Sequence, residues 1–247
     1  MDFSDTSNLT GIIEDITFHT GVDTNAYTLK DRTRNVNQWY QRAIVDILSS
    51  VNYYEWRDTN VAAGTDNSWT TSADGTAVLD MSASTRGYAL PTTNDVWMLR
   101  KVAFSYDGGA TYYEAKPFNI AMVQYQPDDS DIDDNVSKTE PMYRWVGNQL
   151  EGYPLPATNS TNGIKIWFVA KPDIFVSTDT TQEPAIMEAF RRILSLGASY
   201  DWLMSREPEK AQVIRAELEQ VRQEMRAYYA NLIDENYDVQ SLRVRYE

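Results

Sequence analysis

The sequence contains no cysteine, so neither a disulfide framework nor a thiolate metal site can form. It contains one histidine, His19, which leaves little material for histidine-based catalysis. No run approaches the roughly 18 apolar residues of a membrane span. The first residues, Met1–Asp5, lack the basic and apolar regions of a signal peptide. The absence of cysteine fits a reducing compartment, and we expect no membrane partner.

Basic residues are also scarce: 22 lysines and arginines face 36 acidic residues, a net charge of −14. Because affinity for a nucleic-acid backbone depends on lysine and arginine displacing counterions, general DNA binding is not expected. Such a surface is compatible with DNA that passes without sticking. The alternative is that the acidity only keeps the protein soluble.

No catalytic motif stands out. His19 lies at the expected end of a first helix, where histidines more often interact with free carbonyl groups than act in catalysis. There is no nucleophile elbow, no phosphate-binding glycine loop and no zinc-ligand spacing. With 36 acidic residues, paired carboxylates carry no information. The expectation is a protein without enzymatic activity and without a cofactor.

One acidic segment partly matches a calcium-binding loop. Its candidate metal ligands are Asp129, Asp131, Asp133 and Glu140, at positions 1, 3, 5 and 12 of the template. Position 6, where the turn calls for glycine, is Asp134, and prolines rather than helices flank the segment. The sequence favours a solvated acidic loop over a metal site.

The N-terminal part is predicted to be helical. A first helix is expected over Asn8–Thr20, with Phe18 in its apolar set and Gly21 ending it. A second helix begins with the capping box Thr28–Asp31. Its apolar residues recur at steps of three and four and form one broad face: Val36, Trp39, Tyr40, Ala43, Ile44, Ile47, Leu48 and Val51.

Residues 53 to 176 show a β pattern, in which short β-prone runs alternate with turn residues. Asp107–Ala110 and Gly147–Asn148 are predicted hairpin turns. Trp97, Trp145 and Trp167 fall inside predicted strands, which favours core and interface roles over sugar-stacking platforms. The spacing of the strands predicts a small antiparallel sandwich or barrel.

Helix returns near the C-terminus. Thr180, Glu183 and Pro184 form a start signal for a helix that runs through Leu203, and Ser205–Pro208 interrupts it. The last predicted helix, from Pro208 to Ile233, would be about 39 Å long. Its apolar residues form a narrow heptad seam: Ala211, Ile214, Leu218, Val221, Met225, Tyr228 and Leu232.

Two helices joined by a short turn pack antiparallel, so this seam is expected to face the preceding helix. The predicted fold is α+β. N- and C-terminal helices form an antiparallel bundle, an antiparallel β-sandwich or barrel is inserted between them, and a tail extends from the end. The expected boundaries are 1–55 for the first helices, 56–178 for the β domain, 179–234 for the last helices and 235–247 for the tail.

The tail is the candidate partner-binding site. Leu242, Val244 and Tyr246 alternate with Arg243 and Arg245, which is a strand pattern without a following strand. Such a segment can add to the sheet edge of another protein. The alternatives are a frayed terminus or a strand that folds back. The residues expected to bind a partner are Tyr237, Val239, Leu242, Arg243, Val244, Arg245 and Tyr246.

The order of these elements resembles the head-to-tail adaptor (connector) proteins of tailed bacteriophages. The segments that carry the resemblance are Thr10–Phe18, Leu29–Tyr40, Gly147–Pro154, Ser177–Thr181 and Leu194–Asp201. The likeness covers most of the chain and is least between residues 60 and 95.

The resemblance implies a structural protein of the virion neck at the capsid vertex, made in the bacterial cytoplasm. It implies a ring, typically a dodecamer, that binds the portal and a tail or stopper protein and continues the DNA ejection channel. It also implies portal docking by the C-terminal segment. Alternatives are a neck stopper or tail-gate protein, a carbohydrate-binding virion module and a glycosidase-like enzyme.

Overall fold

The structure, a computed structural model of the 247-residue chain, describes residues 1–50, 64–66, 69–72, 75–91, 96–118, 133 and 135–244. The fold is mixed α+β. The chain divides into two compact units. The helical unit contains Met1–Trp56 and Pro172–Glu247, and the β unit contains Arg57–Lys171. The second boundary lies earlier than the expected one at residue 178.

The helical unit draws its elements from both ends of the sequence. Its described helices are α1 (Ile12–Thr20), α2 (Leu29–Ser50), α3 (Arg192–Leu203) and α4 (Pro208–Val244), with a short 3-10 helix at Glu188–Phe190. Helix α3 packs against α1, α2 and α4, and α4 also packs against α2. Their shared core includes Ile12, Ile16, Tyr40, Ile44, Leu194, Leu196, Leu218 and Met225.

Helix α1 begins later than the sequence predicts. The Asp5 carboxylate accepts hydrogen bonds from the main-chain N–H groups of Ser7 and Asn8, at 3.1 and 3.0 Å. These bonds stabilise a turn in place of the first helical turn. The predicted end is confirmed, since Gly21 has φ +71° and its N–H donates to the Thr17 carbonyl at 2.8 Å. Phe18, placed in the apolar face by the sequence, is 81% exposed.

The capping box of α2 is confirmed. The Asp31 N–H donates to Thr28 Oγ1 at 3.2 Å, and the Thr28 hydroxyl donates to the Asp31 carboxylate at 2.7 Å. The predicted face is buried at Val36, Trp39, Tyr40, Ala43, Ile44 and Ile47, and Leu48 is half-buried. Val51 lies outside the described residues.

The second predicted capping box, at Thr180, is wrong. No α-helix begins there, and the first helical turn downstream is the 3-10 turn at Glu188. The carbonyl groups of Thr180 and Gln182 instead accept the N–H groups of Ser4 and Phe3, at 3.2 and 2.9 Å. Hydrogen bonding to a distant segment therefore replaces the local helix.

Helices α2 and α3 approach closely at a glycine. A Cβ atom on Gly197 would lie 2.2 Å from Trp39 Cδ2, which no real contact permits. The Trp39 indole lies over this position, and its N–H donates to the Asp201 carboxylate at 2.8 Å. The close approach therefore explains a glycine inside α3, where alanine would be the better helix former.

Helix α4 follows the predicted seam over its first turns. Ala211, Ile214, Leu218 and Met225 are buried, but Tyr229 takes the place predicted for Tyr228, which is 37% exposed. An α-helix has 3.6 residues per turn, so a strict heptad drifts around it by about 20° per repeat. The drift shifts the buried face by one residue at this end of the seam.

The β unit contains two sheets, and neither closes into a barrel within the described residues. The larger has six strands in the order β1-β2-β3-β10-β5-β6, all antiparallel, and the smaller has the order β4-β9-β8-β7, in which β7 and β8 are parallel. The strands are β1 Gly64–Asp66, β2 Trp69–Ser72, β3 Thr76–Met81, β4 Gly87–Ala89, β5 Val96–Phe104, β6 Tyr113–Glu114, β7 Lys116–Pro117, β8 Met142–Val146, β9 Gln149–Tyr153 and β10 Ser160–Ala170.

One buried cluster joins the two sheets. It contains side chains from the larger sheet, such as Phe104 and Ile166, and from the smaller, such as Leu150. A Cβ atom on Gly152 would lie 2.7 Å from the Phe104 ring, so the sheets approach closely there. Both predicted hairpin turns are confirmed: Asp107–Ala110 joins the paired strands β5 and β6, and Gly147–Asn148 joins β8 and β9.

Candidate partner-binding site

The tail that the sequence predicts as a strand is helical as far as the structure describes it. Helix α4 continues without interruption through Tyr237, Val239, Leu242, Arg243 and Val244, so the extended conformation predicted from residue 235 is wrong. After Pro208 the chain contains no glycine or proline to stop the helix. Propagating a helix costs far less than starting one, and this outweighs a short alternating pattern.

The two remaining predicted tail residues, Arg245 and Tyr246, lie outside the described residues. The site that the sequence proposed therefore becomes the C-terminal end of a 37-residue helix. At 1.5 Å per residue, a helix of this length spans about 55 Å.

A buried carboxylate ties the middle of α4 to α2. Asp46, whose side chain is 10% exposed, accepts hydrogen bonds from Arg222 Nε and Nη2 at 2.9 and 2.8 Å. Arg226, one turn further along α4, donates to the other oxygen of the same carboxylate. Burial disfavours the charged Arg222 side chain, but its contacts with Asp46 and Glu219 outweigh this and raise its pKa.

Beyond this cluster, Tyr229 is a further buried residue of α4. Its hydroxyl accepts the Met187 N–H at 3.3 Å, and its ring packs against Phe190 with 6.3 Å between centroids. The helix then continues over residues 230–244, about 22 Å at 1.5 Å per residue. The anchored part and the C-terminal part of α4 thus belong to one continuous helix.

The His19 ring lies against Asp15 rather than in a catalytic arrangement. His19 Nε2 is 3.4 Å from one Asp15 oxygen, and the Ser195 hydroxyl donates to the other at 2.5 Å. The carboxylate therefore lies between the serine and the histidine, so the imidazole is not placed to take the hydroxyl proton. Arg192 Nη2 is 3.4 Å from His19 Nε2. The cluster links α1 to α3.

Electrostatics support this structural role for Asp15. Burial alone would raise the pKa of the Asp15 carboxyl group. Hydrogen bonds from His19 and Ser195, together with the charges of His19 and Arg192, have the opposite effect. They outweigh burial, so the pKa of Asp15 is lowered. In its charged form, the Asp15 carboxylate on α1 accepts the hydrogen bond from Ser195 on α3. It is not poised to exchange protons near neutral pH.

The acidic segment does not assemble a metal site in its described part. Asp133 pairs with Arg86 at 2.7 Å and accepts the Leu155 N–H at 2.9 Å. Glu140 lies 3.5 Å from the Lys116 ammonium. Asp129 and Asp131 lie outside the described residues. Among the described residues, no group of three or more potential metal ligands occurs.

The sequence gives no sign of one buried cation, Arg32. This fully buried side chain donates to three main-chain carbonyls: those of Tyr27 at 2.9 Å, Ile13 at 3.2 Å and Val22 at 2.8 Å. Burial lowers the pKa of its guanidinium. Arg32 thereby fixes the turn between α1 and α2. From the sequence of α2 alone, an arginine at this position would be expected on the surface.

None of the helices among the described residues is both long and apolar enough to cross a membrane. No protein-family model matches the chain, and no curated protein matches it in a sequence search.

Proposed function

We propose that this chain is a structural protein of a tailed-bacteriophage virion, the subunit of a head-to-tail adaptor ring. In this proposal about twelve copies bind beneath the portal at the capsid vertex, contact a tail or stopper protein, and continue the DNA ejection channel. The helices form the bundle of the subunit, and the two sheets of the β unit form an inserted sandwich. The chain has no enzymatic role and carries no cofactor.

The observation that carries the proposal is helix α4. Its first turns are buried against α2 and α3, and Arg222 and Arg226 fasten it to Asp46. The remainder continues as residues 230–244 of the same helix. A helix anchored at one end can present its other end to a partner with the main chain already ordered, which reduces the conformational entropy lost on binding.

The net charge of −14 supports the same proposal. An acidic wall repels phosphates, so DNA inside the ring would move without binding. The apolar contacts between helices and the shared core of the sheets are typical of a stable scaffold.

Removal of Tyr237–Glu247 tests the docking role. The shortened chain keeps Asp46, Arg222, Arg226 and Tyr229, so we expect its helical circular dichroism and melting temperature to stay close to those of the full chain. Binding to the portal protein of the same particle, measured by co-sedimentation and electron microscopy of the complex, should be lost. A control chain that keeps the tail and carries Glu188→Ala, an 82% exposed side chain outside it, should retain the binding.

Unchanged portal binding by the chain without Tyr237–Glu247 would exclude the docking role of the tail. A full-length chain that forms no ring, alone or on the portal, would contradict the adaptor proposal itself. A ring that binds the tail side of the neck and not the portal would favour the stopper position.

A further inference from the structure

The face of the six-stranded sheet that points away from the core carries a cluster of cations and aromatic rings. It consists of Lys101, Tyr112, Glu114, Lys165 and Trp167, and we name it the Trp167 face. Along β10, Ile164 and Ile166 are fully buried in the core, while the alternate residues Lys165 and Trp167 are half-buried on the opposite side. Lys101 is the cross-strand partner of Trp167 on β5.

Two ammonium groups lie over one indole ring. Lys165 Nζ is 5.0 Å from the Trp167 ring centroid and 5.8 Å from that of Tyr112, and Lys101 Nζ is 5.5 Å from the Trp167 centroid. Each contact lies within the range of a cation–π interaction. The rings therefore hold both lysines in place, which reduces the entropy that they would lose on binding an anion.

This cluster has more cations than anions. Glu114 pairs with Lys101 at 2.7 Å, but Lys165 has no carboxylate partner in the described part of the chain. The face thus presents an unpaired, preorganised cation on a chain whose net charge is −14.

We propose that the Trp167 face binds a carboxylate-bearing surface of a second copy of this chain. This inference rests on the proposed ring, since it names the contact that would join the subunits. Copies that each carry a net charge of −14 repel one another, so their interface needs cations that meet the acidic surface of the neighbour. Half-buried tryptophan and tyrosine are the side chains that most often anchor such interfaces.

A nucleic acid fits this face less well than an acidic protein surface. Single strands bind largely by stacking their bases on exposed ring faces. Here the two ammonium groups lie over the indole ring that a base would stack on. The net charge of the chain also repels phosphates at longer range. The position of the two ammonium groups therefore disfavours base stacking on Trp167.

The test compares two variants that change the net charge equally. Lys165→Glu reverses the unpaired cation, and Lys116→Glu reverses a 64% exposed lysine on β7 of the other sheet. Self-association is measured by sedimentation velocity and native mass spectrometry over a salt series, alone and on the portal. We expect Lys165→Glu to weaken assembly by about tenfold or more and Lys116→Glu by about twofold or less. Assembly of the unmodified chain should weaken as salt is added.

Circular dichroism establishes that each variant is folded. If Lys165→Glu does not fold, Lys165→Gln is compared with Lys116→Gln instead. If the Lys165 variant and its matched Lys116 variant assemble equally well and still form a ring, the Trp167 face does not join the subunits. The adaptor proposal would then remain intact. Absence of any ring in the unmodified chain would overturn both. If Lys165→Glu assembles normally but loses binding to a fluorescent oligo-dT strand, the face binds nucleic acid and the inference is wrong.

Discussion

Two buried charged side chains hold the helical unit together in different ways. Arg32 is satisfied by main-chain carbonyl groups around the turn between α1 and α2. Asp46 is satisfied by two arginines from α4, a helix distant in sequence. Removing one partner from a buried ion pair is costly, because it leaves the other charge without compensation in a poorly solvated place.

We therefore expect Asp46→Ala to reduce the free energy of unfolding by about 3 kcal/mol, measured by urea denaturation followed by helical circular dichroism. The control is Glu188→Ala in the same unit, since Glu188 is 82% exposed and its ion pair with the N-terminus spans 3.7 Å. An exposed pair of this kind contributes about 1 kcal/mol or less. Equal losses in the two variants would show that the Asp46 cluster does not fasten α4.

At the scale of single elements, two similar start signals have different outcomes. Thr28 with Asp31 and Thr180 with Glu183 both have the spacing of a capping box. Helix α2 begins after the first, whereas the carbonyl groups in the second segment bond to the N-terminal residues Phe3 and Ser4. In the second segment, hydrogen bonds to a distant part of the chain therefore take the place of a local helix.

This difference predicts unequal effects of one substitution. Thr28→Ala removes a capping hydrogen bond and should lower the free energy of unfolding by about 1 kcal/mol. Thr180→Ala changes an exposed side chain with no helix to cap, so its effect should stay within about 0.5 kcal/mol. Thermal and urea unfolding of both variants would measure this. A larger loss for Thr180→Ala than for Thr28→Ala would contradict the account.

At the scale of the whole molecule, the chain leaves the helical unit and returns to it. The segment that re-enters the helical unit is held at Phe175. Its N–H and carbonyl groups both hydrogen-bond to the Asn37 side-chain amide, at 2.9 and 2.8 Å. The Phe175 ring stacks on Phe3 with 4.7 Å between centroids. The segments on either side of the β unit thus meet within a single core of their own.

Because the segments on either side of the β unit form one compact unit, the helical unit should fold without residues 57–171. We expect a chain in which a flexible Gly-Ser linker replaces residues 57–171 to retain its helical circular dichroism and to melt in one cooperative transition. A second chain that ends at Lys171 lacks α3 and α4, and its remaining helices should be largely unfolded. Loss of structure in the linker chain would mean that the helices depend on the β unit.

Much of the secondary structure could be predicted from the sequence. Steps of three and four predicted helix in α2 and in the first turns of α4, and glycines predicted the turns at Gly108 and Gly147. These are local signals that report local conformation. The tail shows where such signals fail. Alternation of Leu242 and Val244 predicted a strand, but the preceding turns of α4 impose helix on the same residues.

The sequence by itself determined the absence of disulfides, the acidic charge, the α+β character and most positions of helices and strands. These depend on composition or on neighbours a few residues apart. The tertiary structure decided where α1 and α3 begin, which of Tyr228 and Tyr229 is buried, and the contact of Asp46 with two arginines. It also decided the meeting of Lys101 and Lys165 over Trp167. Each of these depends on hydrogen bonds or packing between residues far apart in the chain. The periodicity of apolar residues along the sequence does not indicate such contacts.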